Sequence, residues 1–238
     1  MNDQHNVSVI NRPTMGRPLL GLTVLVVEDS RFACEALRLL CIRSGARIRR
    51  ADSLKSAHRH LQVYRPSVVI VDQGLPDGSG ASLIADLSQA SPRVPVIIGT
   101  SGDDFAEGVA IAAGADGFLM KPVQSVAAFQ RVILNHLPDA MRPSGLRAVS
   151  GDTVHPDQTA YFDDMAHAAE LIAPNSGGDT QDYLAQFLSS VAHSAGDAAL
   201  ALAADALADA RQSGASVNSA MTRLSALVQA RLSQRVAI

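Results

Sequence analysis

A chain of 238 residues has room for two compact units, each burying a modest core. Its formal net charge of −3 lacks the basic excess that nucleic-acid binding leaves in a composition, so DNA binding starts at a disadvantage. No apolar run reaches the ~20 residues that span a bilayer, and the polar stretch from Met1 to Arg17 lacks the apolar centre of a secretory signal; no membrane association and a cytoplasmic location are expected.

Residues 1–20 mix Asn, Asp, Gln, Pro and Gly without periodicity and read as a flexible leader, with order beginning near Gly21. From there short β-branched apolar runs alternate with amphipathic segments. Strands are predicted at 22–27, 46–50, 67–71, 94–99 and 117–120, and helices at 31–44, 54–64, 80–89, 104–113 and 123–137. Cys34 and Cys41 lie seven apart in the first of these helices and read as reduced, buried thiols. The run Val68-Val69-Ile70-Val71 has no polar face, which implies a mainly parallel sheet covered by helices on both sides. His58 and His60 sit among polar neighbours and are assigned no chemistry.

After Leu137 the prolines, serines and glycines of residues 139–156 read as a linker. Residues 157–238 are rich in Ala and Leu and parse as three or four helices, broken at Pro174 to Gly178, near Gly196 and at Ser213-Gly214. From Gly151 onward there are ten acidic residues against four arginines and no lysine, a net charge of −6.

Four polar features fall at the carboxyl ends of predicted strands, where open α/β sheets bind ligands: Glu28-Asp29, Asp72, Thr100-Ser101 and Lys121-Pro122. Clustered carboxylates repel one another unless a hard divalent cation lies among them, and Mg²⁺ is the natural candidate. A carboxylate that attacks phosphorus also needs a cation on the transferring oxygens, which Lys121 supplies, and Thr100 offers a hydroxyl donor.

The motifs Val26-Val27-Glu28-Asp29, Val71-Asp72-Gln73-Gly74-Leu75-Pro76-Asp77-Gly78, Gly99-Thr100-Ser101 and Phe118-Leu119-Met120-Lys121-Pro122 resemble those of response-regulator receiver domains over residues 21–138. The resemblance implies a flavodoxin-like five-stranded parallel sheet with Asp72 as phosphoacceptor. It implies Mg²⁺ held by Asp29, Asp72 and the carbonyl of Gly74, with Glu28 acting through water. Thr100 and Phe118 take the switch positions, Lys121 pairs with phosphoryl oxygens, and Lys121-Pro122 is cis. It further implies a phosphoacceptor that is not an enzyme, served by a sensor histidine kinase or a phosphotransfer protein. Gly74 and Gly102 leave two rims of the site without side chains, so water is expected at the phosphoryl group and a short-lived phosphorylated state follows.

Three readings of the second unit remain. The stretch around Ala192-His193-Ser194 resembles a histidine-phosphotransfer bundle, but Gly196 and Asp197 stand where that family carries Lys and Gly, so His193 is expected to have lost phosphotransfer. Apolar stripes Leu200, Ala203, Ala204, Leu207 and Leu224, Leu227, Val228, Leu232 suit a self-dimer or a downstream protein target, or core packing. A phosphorylation-regulated DNA-binding module comes last: no helix-turn-helix signature is present, although Arg211, Arg223, Arg231 and Arg235 gather near the end. The resulting expectation is a two-component response regulator whose acidic all-α unit switches protein contacts, with nucleic acid an unlikely partner.

Overall fold

The computed structural model describes residues 13–143, 151–172 and 177–235. The first unit runs β1 (Thr23–Val27), α1 (Arg31–Ser44), β2 (Arg47–Ala51), α2 (Leu54–Val63), β3 (Val68–Asp72), the two-residue hairpin strands β4 (Gly74–Leu75) and β5 (Gly78–Ser79), α3 (Gly80–Gln89), β6 (Val96–Ser101), α4 (Ala106–Ala112), β7 (Gly117–Met120) and α5 (Val126–His136). The five long strands form one sheet in the order β2-β1-β3-β6-β7, every pairing parallel.

Alternation along the strands builds two cores. Val24, Val26, Val68, Ile70, Val96 and Ile98 face α1 and α5, packing on Leu37, Leu40, Phe129 and Ile133. Leu25, Val27, Val69, Val71 and Ile97 face the other way, against Ala57, Leu83, Ile84, Leu87 and Ala110. Serine side chains cap the amino ends of α1, α2, α3 and α5, satisfying backbone N–H groups that a helix cannot pair internally. At Gly80 a Cβ would stand 1.9 Å from the carbonyl oxygen of Asp72, so only glycine lets α3 start directly beneath the end of β3.

The second unit is four helices: α6 (Gln158–Leu171), α7 (Gly178–Ala195), α8 (Ala198–Gln212) and α9 (Asn218–Arg235). Gly196, at φ 72°, closes α7 in the left-handed conformation that favours glycine. Leu184, Leu188, Val191, Leu200, Leu207, Leu224 and Val228 fill the interior, so both apolar stripes noted in the sequence are spent on the bundle's own core.

Two expectations need correction. The leader is tied down before Gly21: Leu19 is fully buried in the α1/α5 core, and its N–H donates to the carbonyl of Ser44 at 2.9 Å. The carboxyl end of the expected linker is anchored as well, because Val154 joins that core and its N–H donates to the carbonyl of Gln124, while Thr153 bridges Ser125. Residues 1–12 of the leader and 144–150 of the linker lie outside the described residues, as do residues 173–176 of the expected break before α7. Among the described residues no helix is long and apolar enough to cross a membrane. Cys34 and Cys41 are buried free thiols, and burial pushes each up to about 12.

Candidate functional site

Parallel strands end on one edge of the sheet, and that edge collects the acidic residues. One carboxylate oxygen each from Glu28, Asp29 and Asp72 lie within 4.8 Å of one another. The ammonium of Lys121, from the loop after β7, enters this group and lies 2.7 Å from both Asp72 Oδ1 and Glu28 Oε2. The other oxygen of Asp72, Oδ2, accepts the backbone N–H of Gly74 at 2.9 Å, which fixes the carboxylate in a single orientation. The Lys121-Pro122 peptide is cis, as is Ser91-Pro92.

Three carboxylates surround a single ammonium, and the protonation behaviour follows. Burial raises the Glu28 carboxyl well above its ordinary value, with Asp72 and Asp29 adding to the rise and Lys121 opposing it. Asp29 is pushed up to about 7, first by burial and then by the Asp72 charge. Burial alone would lower Lys121, yet the facing charges of Asp72 and Glu28 carry it above its ordinary value, so it stays protonated. The site holds more negative charge than its own cation balances.

Residues 24–133 match the family described as response regulator receiver domain. The first unit is a receiver domain. Over 134 residues the chain is 34% identical to the KDP operon transcriptional regulatory protein KdpE of Escherichia coli (strain K12), covering 55% of this chain and 59% of that protein. It is 32% identical over 142 residues to the probable transcriptional regulatory protein TcrX of Mycobacterium tuberculosis, covering 58% and 59%. The chain thus spans about three-fifths of the length of these relatives. Among solved structures it is similar to a putative response regulator from Chloroflexus aurantiacus, with 27% identity, TM-score 0.43, and coverage of 47% of this chain and 97% of that one. It is also similar to the receiver domain of a sensor histidine kinase from Pseudomonas aeruginosa PAO1 with magnesium coordinated in its active-site cleft, with 23% identity, TM-score 0.44, and coverage of 49% and 97%.

Within the receiver, Glu28, Asp29, Asp72, Gly74 and Lys121 come together as the sequence suggests. Thr100 does not join them in this state: its hydroxyl is fully buried and donates to the carbonyl of Leu119 at 2.7 Å, along the β6-β7 seam. Phe118 is half-buried, packed against the α2/α3/α4 core and beside Gly99. His58 is exposed, and His60 makes an edge contact with Tyr64.

The second unit approaches both glycine rims, closely at Gly74 and more loosely at Gly102, and an open cleft remains beside them. Helix α7 lies across the receiver pocket, and Tyr183, Gln186, Ser190 and His193, spaced three or four apart, turn one face toward it. Tyr183 donates its hydroxyl to Asp29 Oδ2 at 2.6 Å, and Ser190 Oγ accepts from Lys121 Nζ at 2.9 Å. A Cβ at Gly74 would stand 2.4 Å from the Gln186 side chain, and one at Gly102 would lie 3.7 Å from His193. Asp72 is left only 4% exposed. Between the two units remains a cleft of about 650 Å³, lined by Asp72 and Ser101 on one wall and by Ser189, Ser190 and His193 on the other.

A second anchor lies at the amino end of α1. Asp164, from α6 and 1% exposed, accepts the N–H groups of Arg31 and Phe32 at 2.8 and 3.0 Å and the Ser30 hydroxyl at 2.8 Å. Phe32 itself belongs to the bundle core, its ring 6.0 Å from that of Tyr161 and set edge-on. Of these bundle residues the sequence singles out His193 alone, and for phosphotransfer rather than for docking. The polar face of α7 is, in the sequence, indistinguishable from a solvated one.

Proposed function

We propose that the chain is a response regulator of a two-component phosphorelay, with Asp72 as the phosphoacceptor. The observation that carries this reading is the Lys121 ammonium held between Asp72 and Glu28 at the carboxyl edge of the sheet. Asp72 attacks phosphorus through a carboxylate oxygen while the bond from phosphorus to the donor's leaving group breaks; Lys121 offsets charge on the transferring oxygens. The donor is a sensor histidine kinase or a phosphotransfer protein, and the chain is an acceptor rather than an enzyme acting on other substrates.

The residues present fit Mg²⁺. Their donors are hard oxygens, they carry excess negative charge, and the raised carboxyls of Glu28 and Asp29 mark a place where added positive charge is stabilising. Asp29, Asp72 and the Gly74 carbonyl would hold the ion, with Glu28 acting through water. Bound there, it would neutralise phosphoryl oxygens. On phosphorylation Thr100 would rotate from the Leu119 carbonyl toward the phosphoryl group, and Phe118 would follow inward into the space that Thr100 leaves.

Acetyl phosphate with Mg²⁺ should label wild type and leave Asp72→Ala unlabelled; equal labelling of both would contradict the assignment. The output is a change in protein contacts made by the acidic bundle. Two of its arginines are engaged, Arg211 with Asp182 and Arg231 with Asp197, each at 2.7 Å, while Arg223 is exposed. The side chain of Arg235 lies outside the described residues.

Nucleic-acid binding is the second reading, and one observation favours it. An open hollow of about 850 Å³ along edge strand β2 and helix α2 is lined by Arg47, Arg49, Arg59 and Arg65 with no carboxylate among its walls. The relatives are named as transcriptional regulatory proteins. Salt-sensitive duplex binding by the full chain, lost when these arginines are neutralised, would favour it over protein contacts.

A further inference from the structure

Helix α7 occupies the receiver pocket with the groups that phosphorylation would need. The Lys121 ammonium donates to Asp72 and to Ser190, and Glu28 faces it as an ion pair at 2.7 Å. A phosphoryl oxygen arriving on Asp72 competes with these partners for the ammonium. Ser190 is the weakest of the three, being neutral. One carboxylate oxygen of Asp29, Oδ2, already accepts the Tyr183 hydroxyl. Gln186 lies where any side chain at position 74 would project.

From these contacts we infer that α7 is a built-in lid on the phosphoacceptor pocket, its Tyr183 and Ser190 hydroxyls standing in for the cation on Asp29 and the phosphoryl oxygen on Lys121. The inference deepens the phosphoacceptor reading and rests on it. In the closed state the face around Asp72 is an interaction surface whose occupant is the chain's own bundle, clamped at its far end by Asp164 on the first turn of α1. The 650 Å³ cleft leaves a way in for a small phosphodonor, whereas a protein donor must displace α7 to bring its phosphoryl group to Asp72. Occupying Asp72 therefore loosens the bundle, and the face of α7 bearing Tyr183, Gln186, Ser190 and His193 becomes available to other partners.

The test uses the full chain. Loading wild type with beryllofluoride and Mg²⁺ should raise amide hydrogen exchange in α7 and in the first turn of α1, with the rest of the receiver unchanged or better protected. The Tyr183→Phe/Ser190→Ala double variant, its helicity checked by circular dichroism, should take up phosphate from acetyl phosphate about tenfold faster than wild type, the factor that ~1.4 kcal/mol of lost closed-state contact gives. Asp164→Asn, which touches α1 rather than the pocket, should accelerate labelling in the same direction. If wild type labels but exchange in α7 and the rates of all variants stay unchanged, the lid is overturned and the phosphoacceptor reading stands. Should Asp164→Asn alone fail to respond, the effect is local to the pocket, and the lid is contradicted. If Asp72→Ala labels as wild type does, the phosphoacceptor reading falls, and the lid falls with it.

Discussion

The chain carries two charge networks, one buried and one partly exposed, that solve opposite problems. In the bundle, Arg231 meets Asp197 through two hydrogen bonds of 2.7 and 3.0 Å, and Tyr161 adds a third at 2.7 Å. One cation faces one anion, and Asp197 is held down at about 2, chiefly by the Arg231 hydrogen bond. In the receiver, Lys121 faces Glu28 and Asp72 with Asp29 beside them, and the Glu28 and Asp29 carboxyls are driven up. A balanced pair is a structural fastening. An unbalanced one stores repulsion that a further cation or a charge-rearranging ligand relieves, which is why the functional site is found there.

The comparison fails if the two networks respond alike when cut. The largest effect is expected at Lys121→Ala, which leaves the buried Glu28 and Asp72 without their cation and should cost about 3–5 kcal/mol in urea unfolding. Millimolar Mg²⁺ should recover part of that loss; indifference to Mg²⁺ would mean the acidic cluster is not a cation site.

Acid should discriminate next. The folded-state carboxyl of Asp197, at about 2, lies below its ordinary value of 3.8, so its contribution is fully present above about pH 4 and is lost as pH falls toward 2. That contribution is about 2 kcal/mol, and Asp197→Asn should flatten the slope of stability against pH over this window. The smallest effect belongs to Arg211→Ala. Its pair with Asp182 is solvent-exposed, with side chains 32% and 54% accessible, so urea unfolding should barely change.

Much of this was legible in the chain itself, because β-branched runs and turn residues encode local structure. Helices α1 and α3 and strand β7 fall where periodicity places them, and the remaining long strands shift by one or two residues. The receiver site was readable because its residues follow strand ends in a fixed order. What escaped is tertiary. Leu19 and Val154 lie in stretches with no period, and they are ordered by a core that other elements build. The α7 face was hidden for a different reason: polar residues on a helix look solvated until the surface they meet is known. Glycine at 74 read as an opening, although its meaning is the reverse, since it lets Gln186 approach. Asp164 reads as one more acidic helix residue, and only the fold shows that it caps a helix in the other unit.

The central claim is that the phosphoryl group goes to Asp72, beneath α7, and the most direct test is to locate it. After labelling the full chain with acetyl phosphate and Mg²⁺, borohydride trapping of the acyl phosphate and peptide mass spectrometry should find one modified position, Asp72. Reduction at a carboxylate other than Asp72, or at none, would contradict the account.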